Sequence, residues 1–231
     1  MNDILLSVIL PSRGRFEQLK CLIHDIEEKW GSKINLEIIV KIDNDDFDSI
    51  NLISQLEFKN LKWIVSDKKE GYLSLGEFYV DMIRMSRGKF IMPSIDDFKI
   101  IDTGNFLDKL IEYQDKPVII NGGFGKTFDA PVVNKKITDE LQLKYINNWN
   151  SFLGDIIFID SYFGRLKDIC LGNLTLPHME PLPIFNIFVE TDMHIKHTPT
   201  TSLKVPERVK TSQMFEDAEH IICIFLKNLD Y

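Results

Sequence analysis

Three polar clusters stand where bond-making chemistry would need them. Asp96 and Asp97 close the run Phe90-Ile91-Met92-Pro93-Ser94-Ile95-Asp96-Asp97. Asp43-Asn44-Asp45-Asp46 follows an apolar run over 36–42, and Pro11-Ser12-Arg13-Gly14-Arg15 follows another over 4–10. Adjacent carboxylates repel one another, so gathering them costs stability unless a cation or hydrogen-bond donors compensate. Hard divalent cations prefer carboxylate oxygen, and Mg²⁺ or Mn²⁺ commonly bridges one or two carboxylates to ligand phosphates. The combination points to a metal-dependent site for a nucleoside diphosphate. Acidic residues after strands also serve as turn residues and helix N-caps. For the Asp43 cluster that plainer reading stands level with the functional one. Asp96-Asp97 leans to function, because its apolar run ends without Gly or Asn beside it.

Such clusters need a scaffold that brings strand ends together. Apolar runs predict strands over 4–10, 36–42, 61–65, 90–92, 118–120 and 156–159. Between them, helical spacing predicts helices over 16–30, 49–56, 75–83, 106–113 and 162–169. In the first, Phe16, Leu19, Leu22, Ile23, Ile26 and Trp30 share one face, and Gly31 stops it. Residues 184–195 read as helical, 176–183 as a proline-punctuated loop, and 197–212 as a flexible loop rich in Thr, Pro, Ser and Lys. An amphipathic helix over 214–229 closes the chain. The alternation predicts an α/β layer fold with a mostly parallel central sheet, whose ligands bind beyond the carboxyl ends of the strands. No linker divides the 231 residues, so one domain is expected.

Composition narrows the partners. The chain carries 35 acidic and 27 basic residues, for a formal net charge of -8. A surface of that sign argues against a general nucleic-acid binder, which needs clustered Lys and Arg. Cys21, Cys170 and Cys223 show no metal or disulfide spacing. They are expected as small buried apolar residues in a reducing compartment, by default the cytoplasm. No transmembrane segment is expected, and the first residues lack the basic region and cleavage site of a leader. Asn173-Leu174-Thr175 therefore carries little weight as a glycosylation sequon. Neither GxxxxGK[ST] nor GxGxxG follows the first strand, which disfavours P-loop and dinucleotide-binding readings. The Gly-rich run Asn121-Gly122-Gly123-Phe124-Gly125-Lys126 lacks those spacings and reads as a loop near a sugar subsite.

The ordered motifs resemble one enzyme family over about the first hundred residues. Val8-Ile9-Leu10-Pro11-Ser12-Arg13-Gly14-Arg15 resembles the opening strand and loop of family-2-like glycosyltransferases with the GT-A fold. Leu36 to Asp46 resembles their second strand and its nucleotide-binding Asp. The run from Gly71 to Tyr79, followed by Arg87-Gly88 and the strand into Asp96-Asp97, resembles the helix and strand that lead into their DxD motif. The resemblance implies a GT-A (Rossmann-like) three-layer α/β/α fold. It also implies a nucleotide-binding half over 1–100 and an acceptor-binding half over 101–231. Pro11, Ser12 and Arg13 would line the base and ribose of the donor, and Asp43 would accept from the base. Gly71 would belong to the donor site, Asp96 would face the ribose or sugar, and Asp97 would hold Mn²⁺ or Mg²⁺. His197, preferred to His194, would add a metal ligand. Lys204, Arg208 and Lys210 would close over the diphosphate. The sequence departs from DxD at the first position, which is Ile95.

The implied reaction moves a sugar from a nucleoside-diphosphate donor, UDP-linked first, to a glycan hydroxyl, with inversion and as a step of polysaccharide biosynthesis. Inversion requires a carboxylate base. The family's Glu-Asp pair is missing from its usual place. Glu180 is the first candidate for the base and Asp155 the second. Ile95 and the missing pair also suit a rival, a degenerate domain that binds a nucleotide sugar or glycan without turnover. A sugar-phosphate nucleotidyltransferase, which shares the layer architecture, ranks lower, because the first loop lacks that family's Gly-rich form.

Overall fold

The computed structural model describes residues 3–67, 75–123, 131–139 and 188–197. Among these residues, seven strands form one sheet in the order β3-β2-β1-β4-β7-β6-β8. They are β1 (Leu6–Ser12), β2 (Leu36–Asp43), β3 (Leu61–Ser66), β4 (Phe90–Pro93), β6 (Ile119–Asn121), β7 (Pro131–Asn134) and β8 (Phe188–Val189). Pairings β1–β2, β2–β3, β1–β4 and β6–β8 are parallel, while β4–β7 and β6–β7 are antiparallel. β5 (Phe98–Asp102) and β9 (His194–His197) make a second, two-stranded antiparallel sheet. The mostly parallel α/β architecture expected from the alternating runs is present.

Strand alternation sorts the central sheet into two faces. Leu6, Val8 and Leu10 of β1 share one face with Leu36, Ile38, Val40 and Ile42 of β2. That face packs against α1 (Phe16–Ile26), α2 (Phe47–Ile53) and α4 (Phe106–Glu112), which contribute Leu19, Leu22, Ile23, Ile53, Phe106 and Leu110 to the same core. The predicted helical stripe is the buried stripe. Beyond Ile26 the helix widens into a π-helical turn, Glu27–Gly31, that delivers a fully buried Trp30. Its ring lies 5.2 Å from that of Phe106, and its Nε1 donates to Thr103 Oγ1 at 3.3 Å. This pair joins α1 to the start of α4 and adds about 1 kcal/mol beyond area burial. The opposite face is covered by α3 (Leu75–Met85). There Lys41 of β2 donates to Asp81 at 2.8 Å and sits 4.4 Å over the Phe78 ring. Helices on both faces complete three layers.

At the amino end of the sheet one carboxylate organises four segments. Glu37 is fully buried. It accepts from Ser7 Oγ at 2.8 Å, Lys62 Nζ at 2.7 Å, the Arg87 backbone N–H at 2.6 Å and Arg87 Nε at 3.3 Å. Gly88 lies against this knot, where a Cβ would stand 2.5 Å from the backbone nitrogen of Ser7. A side chain there has no room, which gives Arg87-Gly88 a packing reason.

Several expectations need correction. Pro11 and Ser12 belong to β1 itself rather than to the loop after it. Residues 188–197 are not helical. Val189 and its neighbour extend the sheet beside β6, and His194–His197 pairs with β5. Long-range pairing there overrides the apolar spacing that read as helical. His197 consequently ends a strand instead of opening a loop. Strands β5 and β7 were not anticipated. Cys21 is exposed, because it falls outside the buried stripe of α1. The elements expected over 156–159, 162–169, 176–183 and 214–229 lie outside the described residues, as do Cys170, Cys223, Lys204, Arg208 and Lys210.

Candidate donor and metal site

β1, β2 and β4 run in parallel, so Ser12, Asp43 and Pro93 reach the same edge of the sheet. Arg13 follows β1 directly. Its Nη1 donates to Asp43 Oδ2, and its two terminal nitrogens grip the Asp45 carboxylate at 2.7 and 2.8 Å. Asp43 is buried, while the Arg13 side chain is 45% exposed. The hydrogen bonds to Asp45 and then Asp43 hold the Arg13 guanidinium well above its ordinary pKa, so it stays charged at any working pH.

The loop then turns at Gly14, whose φ of 64° is a left-handed conformation that favours glycine. Its N–H donates to Asp46 Oδ2 at 2.7 Å. The other Asp46 oxygen accepts from Ser49 N at 3.3 Å and caps α2. The plainer reading of the second cluster is therefore right for Asp46, a turn and N-cap residue. Asp43 and Asp45 instead face the arginine of the neighbouring strand end.

Past Gly14 the chain presents Arg15 to the third cluster. Its Nη1 lies 3.0 Å from Asp96 Oδ1 and 3.4 Å from Asp97 Oδ2. Ser12 Oγ donates to the second Asp96 oxygen at 2.7 Å. Both carboxylates are buried, at 5% and 7% exposure. Burial pushes the Asp96 carboxyl above its usual range, and Asp97 adds to that push. The Ser12 hydrogen bond and the Arg15 charge oppose it. Tyr79 OH donates to Ser94 O at 2.7 Å and ties the turn to α3.

The same edge continues toward the other half of the sheet. β6 is parallel to β4 through two antiparallel steps, so Asn121 ends on the site side, about 10 Å from β4 across two strand spacings. Asn121 Nδ2 donates to the carboxylate of Glu190, which follows β8, at 2.8 Å. Asn121 Oδ1 accepts from the Gly123 N–H at 3.2 Å.

Of the residues expected from sequence, Pro11, Ser12, Arg13, Asp43, Asp96 and Asp97 are thus brought to one mouth. The β5–β9 register sets the backbone of His197 across from Phe98, the residue after Asp97. Gly71, Asp155 and Glu180 lie outside the described residues. Arg15 and Asp45 stand in the expected clusters without a role of their own, Asn121 stands in the Gly-rich run but ends β6, and Glu190 carries no sequence signal. A signal for Arg15 was present: two arginines flank Gly14, and two acidic clusters await partners. No three His, Cys, Asp or Glu groups converge among the described residues. Mg²⁺ and Mn²⁺ need no such cage, since one or two carboxylates, water and ligand phosphates suffice. Buried hard oxygens at Asp96 and Asp97 suit them. Among the described residues, no helix is long and apolar enough to cross a membrane.

No family model matches the chain, and no curated protein matches it. Solved structures do. The mannosyltransferase PcManGT from Pyrobaculum calidifontis, in complex with GDP-Man and Mn²⁺, aligns with a TM-score of 0.51 at 12% identity. The alignment covers 79% of this chain and 58% of that one. S. aureus TarS 1-349 aligns at 11% identity with a TM-score of 0.46, covering 59% of this chain and 49% of that chain. TarS in complex with UDP-GlcNAc aligns at 16% with a TM-score of 0.41, covering 51% and 33%. The chain thus spans about half of the first two neighbours. The likeness to the mannosyltransferase shows the fold, a Rossmann-like GT-A arrangement of three layers.

Proposed function

We propose that the chain is a family-2-like glycosyltransferase that moves a hexosyl group from a nucleoside-diphosphate donor, UDP-linked first, to a hydroxyl of a glycan or glycoconjugate. The observation that supports this most is the convergence of Arg13–Asp43 and Arg15–Asp96–Asp97 on the carboxyl edge of a GT-A sheet. A buried acceptor such as Asp43 suits an N–H of the donor base, a hydrogen bond that selects one base edge over another. Pro11 and Ser12 form the floor on which base and ribose would lie, and Arg13 the rim. Asp97, with Asp96 beside it, would hold Mn²⁺ or Mg²⁺, and the β5–β9 register supports His197 as a further ligand. A divalent cation there would neutralise charge developing on the leaving diphosphate. Gly71 remains assigned to the donor side. Glu180 and, second, Asp155 remain candidates for the base of an inverting reaction, in an acceptor half over 101–231 of a single 1–231 domain. The cysteine pattern supports a reducing, cytoplasmic compartment, and polysaccharide assembly is the setting that suits a glycan acceptor.

Ile95 at the first DxD position favours one second reading, a domain that binds the donor without turnover. Release of nucleoside diphosphate from a panel of UDP- and GDP-sugars with Mn²⁺ separates the two. The transferase is expected to hydrolyse one donor class slowly without acceptor and to stop in EDTA. Donor binding without release, even with candidate glycan acceptors added, supports the second reading. Neither binding nor release contradicts both.

A further inference from the structure

The acidic pair that would take a divalent ion already has a cation. Arg15 Nη1 is 3.4 Å from Asp97 Oδ2, the carboxylate assigned to the metal, and 3.0 Å from Asp96 Oδ1. The arrangement is built. Gly14 turns the chain at a left-handed φ, its N–H is held by Asp46, and Ser12 holds the far oxygen of Asp96. The Arg15 side chain is 23% exposed, so it has a way out toward solvent that the two aspartates lack.

We infer that Arg15 is the resident counter-ion of Asp96 and Asp97, exchanged for the divalent cation when the site loads. This rests on the donor-site reading above and deepens it. Without Arg15, two adjacent buried carboxylates repel each other across a low-dielectric mouth. With it, that repulsion is offset and the pair is oriented before any metal arrives. A guanidinium and a divalent cation on the same edge of Asp97 repel in turn, so metal entry requires Nη1 to leave that oxygen. Arg15 therefore lowers the affinity for metal alone and raises its selectivity for metal that arrives with an anionic diphosphate. The diphosphate supplies the negative charge that accommodates both cations, and its oxygens match the fork of a displaced guanidinium.

The test is Mn²⁺ binding without nucleotide, followed by the electron paramagnetic resonance signal of free Mn²⁺. Wild type, Arg15→Gln, Arg15→Lys and Asp97→Asn are compared. Arg15→Gln is expected to bind Mn²⁺ about tenfold tighter or more, because one competing charge is gone. Arg15→Lys should stay near wild type, and Asp97→Asn should lose binding. With UDP or GDP present, whichever binds, the order should reverse, Arg15→Gln now holding the metal–nucleotide pair more weakly than wild type. Equal or weaker Mn²⁺ binding by Arg15→Gln, with Asp97→Asn still lost, would overturn this inference and leave the donor site standing. Wild-type binding that survives Asp97→Asn, or its absence in every variant, would overturn the donor-site reading as well. A measurement on the wild type guards against a variant that fails to fold. Saturating Mg²⁺ should shift the Nε–Hε resonance of Arg15, identified by its loss in Arg15→Lys, and an unmoved resonance contradicts the exchange.

Discussion

Asp97→Asn is expected to reduce metal-dependent donor turnover by at least about a hundredfold, with Tm changed by only a few degrees. The exchange of one oxygen for NH₂ keeps the side chain's size but removes a negative charge and puts a donor where a metal ligand should stand. Arg15 keeps its 3.0 Å contact with Asp96, so the mouth is not left with an unpaired guanidinium. Structural damage should therefore be small and functional damage large. Steady-state release of nucleoside diphosphate, read beside a thermal melt, checks both halves. A loss of turnover matched by a melt lowered by more than about 10 °C would mark Asp97 as a structural residue instead.

Glu37→Ala is expected to lower stability by about 3 kcal/mol, or about 6–12 °C in Tm for a chain of this size. The side chain is fully buried and accepts from four donors. Lys62 and Arg87 would turn to solvent when it is removed, since their side chains are 34% and 59% exposed. The Arg87 backbone N–H and Ser7 Oγ lose an acceptor beside Gly88, and those losses together with the cavity set the cost. Burial alone would raise the Glu37 pKa, but Lys62, the Arg87 N–H and Ser7 outweigh it and hold the carboxyl below its ordinary value. A lowered folded-state pKa contributes stability that is full above the unfolded pKa and is lost as pH falls through the folded one. Wild type should therefore shed this contribution in acid, below about pH 4, and the difference in Tm between wild type and variant should narrow there. A variant melting within about 2 °C of wild type at neutral pH would contradict the account.

The halves of the fold were unequally legible. β1, β2, α1, α3 and β4 are long or strongly patterned, and local periodicity marks them within a few residues. Each strand also carries its acidic or basic cluster at its carboxyl end, which is why six of the expected site residues meet at one mouth. β5, β7, β8 and β9 are two to five residues long, and no local pattern announces them. They exist because of partners distant in sequence: β9 pairs with β5, some ninety residues earlier, and β7 inserts antiparallel between β4 and β6. Single-sequence periodicity holds no information on such pairings. For that reason the spacing over 184–195 reads as helical and His197 as the start of a loop, where the described residues of that stretch form β8 and β9. The Asp43 cluster shows the same limit at the level of one side chain. Asp46 caps a helix while Asp43 meets Arg13, and only the fold of the neighbouring loop separates those roles.

Arg15 belongs to the same lesson. Its motif is visible as a basic loop after β1, but its partners come from the turn after β4, more than eighty residues away. Charge complementarity between clusters of opposite sign is a signal that spans such gaps, and it pairs Arg13 and Arg15 with the two acidic groups on the same edge.

The central claim is that this edge binds a nucleoside diphosphate together with a divalent cation. Calorimetric titration of the wild-type chain with UDP, GDP and CMP, each with Mn²⁺ and with EDTA, tests it most directly. UDP or GDP should bind in Mn²⁺ and lose most of its affinity in EDTA, which would also name the donor class, and CMP should not compete with it. No heat from any nucleotide under either condition would contradict the claim.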